Sequence, residues 1–414
     1  MNKYENSFYL FDGDAKQIPI IPMHGAPTED TEGVVGLILM DVDAPGCPMY
    51  KCVEVTEEGN SVWEPFVDRA LYEKDVFQAY GMGYGDGVDD EHNAMFKSVT
   101  DWSSFNVAGK RQSIVDRLRF EDTSNGTNFH SMFMDCADVQ SIPLLDTSRG
   151  TVFSQMFRMC KNLKNDPKLN TENATTLENM FAFCENLQNI SQLNTKNAKN
   201  MSNIFSNCKS LSSVPEIDMQ SATTVTQMFS SCQKLTHIKL KNMSECPATD
   251  LSRLFSGCTN LTTIEGLDTS KGTNFSGMFM STVSMATYPE IDTSNGTVFE
   301  YMFRTYSNTG SVLKTLPKIN ISKATNINSM FTNESGGSSF FESITFEGSI
   351  NINGLNLSHQ TKLSHDSLMS MINALADKTG DTSTTWKVTI GSTNLAKLTA
   401  AEKQIAVDKN WTLA

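Results

Sequence analysis

A phenylalanine preceded by Met, Ile or Leu recurs at Phe133, Phe157, Phe181, Phe205, Phe229, Phe255, Phe279, Phe303 and Phe331. The successive gaps are 24, 24, 24, 24, 26, 24, 24 and 28 residues. A fixed period of this size is the mark of a stacked repeat architecture and constrains the fold before any local propensity does. Three residues after the Phe stands Cys136, Cys160, Cys184, Cys208, Cys232 or Cys258 in the first six units. Six residues after it comes an apolar residue (Leu163, Leu187, Leu211, Leu235, Leu261), and nine after it another (Ile142, Ile190, Val214, Ile238, Ile264). Asp-Thr-Ser or a close variant follows, as in Asp146-Thr147-Ser148 and Asp292-Thr293-Ser294.

Within one unit, Met201, Ile204, Phe205 and Cys208 have the spacing i, i+3, i+4, i+7, which predicts one face of a short helix. The next stretch, Leu211 to Ile217, places apolar residues at every third position and contains Pro215, which stops regular pairing. This is the logic of a leucine-rich coil, with a short strand on one side and a helical turn on the other. Asp122 to Gly126 carries turn chemistry, side chains that bond their own backbone and a permissive Gly. One unit cannot bury its apolar face alone, whereas stacked units can. The expected fold is therefore an α/β solenoid of the leucine-rich-repeat class, about nine 24-residue coils over 121–355. Coils about 5 Å apart would give a stack on the order of 40 Å long. The two long gaps place insertions at Lys241–Pro247 and Thr305–Ser311.

Charge divides the 414 residues unevenly. Residues 1–120 hold 10 basic against 21 acidic side chains, and the remainder holds 23 against 26. A net charge of −14 argues against nucleic-acid binding, which needs a basic surface. No run of about 18 apolar residues is present, so no membrane insertion is expected. The opening MNKYENSFYLFDGDAK is too charged for a secretory signal.

Six of the nine cysteines share one repeat position on an apolar face, which favours buried, reduced thiols over disulfides or zinc. Cys47 and Cys52 form an isolated near pair whose state the sequence leaves open. The six histidines, His24, His92, His130, His237, His359 and His365, show no ligand spacing. Asp86 to Glu91 is an acidic Gly-containing loop without the spacing of a Ca²⁺ site. There is no nucleophile elbow, phosphate-cradling loop or carboxylate pair. No enzyme activity, cofactor or metal is expected.

The ends differ from the repeat. Gly33–Asp41, Tyr50–Val55 and Val62–Phe66 predict strands of a small β module over 1–70, followed by a Gly-rich linker and N-terminal cap over 71–120. In 356–414, Leu363, Leu368, Met371, Ile372 and Leu375 predict a helix capped by Ser364 or Asp366. Trp386–Ile390 predicts a strand, and Thr399 with Glu402 a capping box opening a second helix with Ile405 on its apolar side. Together they form an α/β C-terminal cap.

The recurring Met-Phe-x-x-Cys-x-x-Leu-x-x-Ile, in lines such as DTSKGTNFSGMF and MFSSCQKLTHI, resembles the BspA-like leucine-rich repeats of bacterial surface proteins over about 120–350. The segments LSHDSLMSMINALADKTG and NLAKLTAAEKQIAVDKNWTLA are similar to the endings of such proteins in phages and prophages of Gram-positive bacteria. The stretch GVVGLILMDVDAPGCPMYKCVEVTEEGNSVWEPF resembles short β modules of phage tail and baseplate proteins. The resemblance implies binding without chemistry. Secreted members are expected to carry a signal and an anchor, and neither is expected from this sequence.

The expectation is thus a receptor-binding protein of a phage tail or tail-like particle, made in the host cytoplasm. Its partners would be other tail or baseplate proteins through 1–70 and a bacterial cell-surface glycan or protein through the solenoid. A surface adhesin or interaction scaffold is the alternative. The candidate ligand face is the polar column eight residues after each Phe: Ser141, Asn165, Asn189, Ser213, His237, Thr263 and Thr287. The oligomeric state is not legible.

Overall fold

The structure is a computed structural model that describes residues 101, 123–142, 144–306, 314–334 and 341–414, together with the backbone of five strands between residues 8 and 65. The chain divides into two compact units, residues 1–98 with 104–106, and residues 99–103 with 107–414.

The first unit holds one sheet of β1 (Phe8–Phe11), β2 (Gln17–Met23), β3 (Ile38–Asp41), β4 (Met49–Val55) and β5 (Ser61–Pro65), in that order. β2 and β3 pair in parallel, and the other pairs are antiparallel. The three predicted strands correspond to β3, β4 and β5. β2 escapes sequence pattern because Pro19 and Pro22 interrupt it, and proline weakens a strand signal. Cys47, the Cys52 side chain, the acidic loop at 86–91, His24, His92 and nearly all of 71–120 lie outside the described residues.

The second unit is a repeat solenoid. Phe133 through Phe331 are all buried and their rings stack coil on coil, with centroids 5.5 to 6.0 Å apart and planes within 21°. Stacked pairs of this kind contribute about 0.5–1.5 kcal/mol each beyond burial. Where the Cys column ends, Tyr288 enters edge-on against both Phe279 and Phe303.

The side of each coil expected to be helical is not a helix. Met201, Ile204, Phe205 and Cys208 all face the core as the spacing predicts, but the backbone is a run of tight turns. The amides of Ile204, Ser206 and Cys208 bond the carbonyls three residues back (Met201, Asn203 and Phe205). The alternate amides of Met201, Asn203, Phe205 and Asn207 point along the stack to Thr224, Thr226, Met228 and Ser230 of the next coil. Residues two before and two after the Phe adopt left-handed backbone, as at Asn179 and Phe183 (φ 54° and 64°) or Asn203 and Asn207 (φ 56° and 62°). An α-helix would spend every amide inside the coil. Here half of them tie coils together, which satisfies the backbone without helical winding.

Two further ladders complete the coil. Asn128, Val152, Thr176, Asn200 and Thr224 form successive parallel bridges on one side. On the other lie short parallel strands, β6 (Ile217–Asp218), β7 (His237–Lys241) and β8 (Thr263–Glu265), then β9 (Lys314–Asn320) paired with β10 (Phe341–Glu347). The insertion at 241–247 is a turn whose Met243 and Cys246 are buried. Of the other, only Thr305 and Tyr306 are described.

The two polar repeat motifs are internal connectors. Buried Thr123, Thr147, Thr171 and Thr195 donate their hydroxyls to the carbonyls of Asp146, Asn170, Asn194 and Asp218, 23 residues on. The Cys160, Cys184, Cys208, Cys232 and Cys258 thiols donate to the carbonyls of Phe133, Phe157, Phe181, Phe205 and Phe229 in the preceding coil. All six ladder cysteines, and Cys246, are free thiols.

The C-terminal residues form α1 (His365–Ala374), β11 (Trp386–Val388), α2 (Gly391–Leu395), α3 (Ala400–Asp408) and β12 (Trp411–Leu413). Ser364 caps α1, and Thr399 and Glu402 form the capping box of α3. The buried residue of α3 is Ala406, while Ile405 is half-buried. The β10 amides of Ile344 and Phe346 end on the hydroxyls of Ser367 and Ser370, and Gln360 takes the amide of Phe341 while donating to the carbonyl of Phe331.

Candidate ligand-binding face

The strand side of the coil positions the polar column. Alternation along β7 buries Ile238 and Leu240 and turns His237, Lys239 and Lys241 outward. Ser141, Asn165, Asn189, Ser213, His237, Thr263 and Thr287 are all exposed. The structure brings them together in pairs: Asn189 bridges Ser213, and His237 bridges Thr263. Thr287 bridges Thr315 of the following coil. Ion pairs flank the column, with His237 3.5 Å from Glu265 and Lys239 3.0 Å from Glu216. The hydrogen bond from Lys239 to Glu216 raises the lysine's pKa above its ordinary value.

Just beyond the column the chain bends from the strand side into the Asp-Thr-Ser turn, and an open groove of about 600 Å³ follows the bend across several coils. Lys168, Gln192 and Glu216 occupy one register along it, Asn170, Asn194 and Asp218 the next, with Lys196 and Lys241 on the rim. Its floor is made by Leu169 and Leu193, 6% and 8% exposed, and by the engaged hydroxyls of Thr171 and Thr195. Lys168 is held in left-handed backbone (φ 52°), with its amide bonded to Asp166 two residues back. The column of seven was legible from the repeat register. The groove was not, because its residues differ in type from coil to coil, and only tabulating the positions 11 and 13 after each Phe would have exposed it.

Several described ionisable groups outside this face have structural partners. His365 bonds Glu402 at 2.9 Å, joining α1 to α3, and the Glu402 pKa is lowered chiefly by its hydrogen bonds with Thr399 and further by His365. The Lys314 ammonium is buried and donates to the carbonyls of Val283 and Met285 at 2.7 and 2.8 Å and of Thr282 at 3.3 Å. Burial lowers its pKa to about 8. Hydrogen bonds from Ser383, Thr384 and Trp386 hold the Asp381 carboxyl well below the usual range. Among the described residues no group of three or more His, Cys, Asp or Glu is placed to hold a metal ion. No helix among them is long and apolar enough to cross a membrane.

Residues 127–243 and 249–351, more than half of the chain, match a family described as Mycoplasma protein of unknown function, DUF285. No curated protein matches the chain.

Proposed function

Given that the chain belongs to the DUF285 family, whose description assigns no activity, we propose that it is a non-enzymatic recognition protein whose solenoid binds a bacterial cell-surface glycan or protein. The observation that supports this is the in-register column of exposed polar side chains, Asn189 with Ser213 and His237 with Thr263, on a backbone that the axial ladders make rigid. Many modest contacts arrayed on a rigid surface are the usual means by which a repeat protein binds. The chain is carried on a phage tail or tail-like particle in this reading, with residues 1–70 docking on other tail or baseplate proteins and 71–120 as the linker.

The same reading takes the solenoid as nine coils of the leucine-rich-repeat type over 121–355, closed by 356–414. That closure is supported by the way Ser367, Ser370 and Gln360 take the amides of the last strand. A surface adhesin or scaffold is the second reading, favoured by a family description that names a bacterial genus.

The test is immunogold microscopy of lysates from the producing bacterium, with antibody to residues 120–350. Label at the tips of tail-like particles is the expected result. Label on intact cells with bare particles would replace the particle reading by the adhesin.

A further inference from the structure

The groove over Lys168, Asn170, Gln192, Asn194 and Lys196 differs from the neighbouring column in the state of its hydrogen-bonding groups. Its carboxylates and asparagine oxygens each have a partner. Glu216 is held by Lys239 at 3.0 Å, and Asp218 takes the Asn242 amide at 3.0 and 3.1 Å with Lys241 at 3.8 Å. The Asn170 and Asn194 side-chain oxygens accept from the amides of Glu172 and Lys196. Its donors are unoccupied. Neither the Lys168 nor the Lys196 ammonium, nor the side-chain NH₂ of Asn170 or Asn194, has a partner among the described residues, and all four residues are exposed.

A site whose carboxylates are already paired and which keeps two unpaired ammonium groups and two unpaired amide NH₂ groups is complementary to a ligand rich in acceptors. The charge points the same way. In a chain of net charge −14, the groove's two carboxylates are paired with Lys239 and Lys241, which leaves Lys168 and Lys196 as its uncompensated charges. The donors recur along the stack rather than converging on one point, so the ligand is a chain and not a single ion. The small apolar floor of Leu169 and Leu193 suits the C–H face of a sugar or polyol between its polar groups.

We propose that this groove is a subsite for a linear, hydroxylated polyanion, a glycan or polyol chain bearing carboxylate or phosphate groups at regular intervals. The Lys168 and Lys196 ammonium groups pair with successive anionic groups, and the Asn170, Gln192 and Asn194 amides donate to the hydroxyls between them. The inference rests on the receptor-binding reading and specifies its ligand class.

The experiment is calorimetric titration of the full chain with three polymers of matched length: a polyuronate, a poly(glycerol phosphate) and a neutral glucan. The double variant Lys168→Gln, Lys196→Gln is titrated in parallel, and thermal melting confirms that both proteins are equally folded. Binding of either polyanion but not of the glucan is expected, weakened about tenfold in the variant and reduced by salt. Which polyanion binds identifies carboxylate or phosphate as the recognised group. Equal binding of the glucan, undiminished binding by the variant, or no binding of either polyanion overturns the proposal. Adsorption of the same chain to whole cells, measured alongside, separates the failures: a chain that adsorbs to cells but ignores both polyanions keeps its receptor and loses this groove.

Discussion

A methyl group on Gly150 would lie 2.3 Å from Cζ of Phe153. The same closeness holds for Gly272 with Phe275 (2.5 Å) and Gly296 with Phe299 (2.2 Å). In the coils where the larger residue is Leu177, Met201 or Val225, the smaller one is Ala174, Ala198 or Ala222. Each of these coils thus trades size at this corner, setting Gly against Phe and Ala against a smaller aliphatic side chain. Gly150→Ala is expected to lower unfolding stability by about 1–3 kcal/mol through overpacking. Adding Phe153→Leu restores much of it, so the two substitutions are coupled. Additive losses in thermal or urea unfolding would show that the corner is not the reason for the pairing.

The Thr column supplies a second prediction. Thr171 donates to the Asn194 carbonyl at 2.9 Å and accepts from the Asn194 amide at 2.8 Å, so one hydroxyl serves both backbone groups of the next coil. Thr171→Val keeps the shape and strands both, at a cost of about 1–3 kcal/mol. Thr171→Ser keeps the hydroxyl and recovers most of that loss. A valine variant as stable as the serine one would remove this role.

The thiol column makes a prediction in pH. Burial raises the pKa of Cys160, Cys184 and Cys232 well above 9.0, and that of Cys258 to about 12. In the unfolded chain the same thiols ionise near pH 9. Their contribution to stability is therefore complete below that pH. It drains as pH rises toward the folded value, by about 1.4 kcal/mol per unit for each thiol. Native protein is expected to resist a thiol reagent at these positions until it unfolds, and Cys208→Ala, which removes another thiol raised by burial, is expected to lessen the alkaline fall by one thiol's share. Rapid labelling of the folded chain would contradict the burial.

Lys314 titrates with the opposite sign. Its folded pKa of about 8 lies below the ordinary 10.5, so between these values the unfolded state binds more protons and this group's contribution rises with pH. The stability gap between the wild type and Lys314→Met should therefore move in the wild type's favour above pH 8, by about 1.4 kcal/mol per unit. A gap that is flat from pH 8 to 10 means the ammonium is not buried as described.

The exposed column bears on binding rather than folding. Asn189→Ala and Ser213→Ala should each leave the melting temperature nearly unchanged, within about 0.5 kcal/mol, while reducing adsorption to target cells. Melting shifts as large as those of Gly150→Ala would assign these side chains to the scaffold instead.

How far the sequence discloses this molecule depends on which groups carry the period. Phe205, Cys208 and Leu211 face one core at one spacing, so their register and burial follow from the primary structure. The backbone between them does not. The apolar spacing of Met201 to Cys208 fits a helix as well as it fits alternating turns, and although Asn or Gly fills some left-handed positions, others hold Gln155, Met159, Phe183 and Arg253, residues that rarely announce such a backbone. The hydrogen bonds that decide the matter run between coils, where a local window cannot see them. The exposed column shares the period and was legible. The groove depends on which donors are already spent, and only the folded chain shows that.

The turn side has one more physical consequence. The amides of Leu177, Asn179, Phe181 and Phe183 all point toward the following coil, and the carbonyls of Thr176, Glu178, Met180 and Ala182 all point toward the preceding one. Sheet ladders alternate these directions and nearly cancel, whereas the four peptides of this side are aligned and the opposed ones, such as the amides of Thr175 and Asn186 that point back to the Thr151 and Lys161 carbonyls, lie on the other sides of the coil. At about 3.5 D per peptide, the four give on the order of 14 D along the turn side of each coil. The moments add from coil to coil. The turn side of the stack thus carries a local moment whose positive end faces the C-terminal coils, the reverse of an α-helix, and the other sides carry the opposing one.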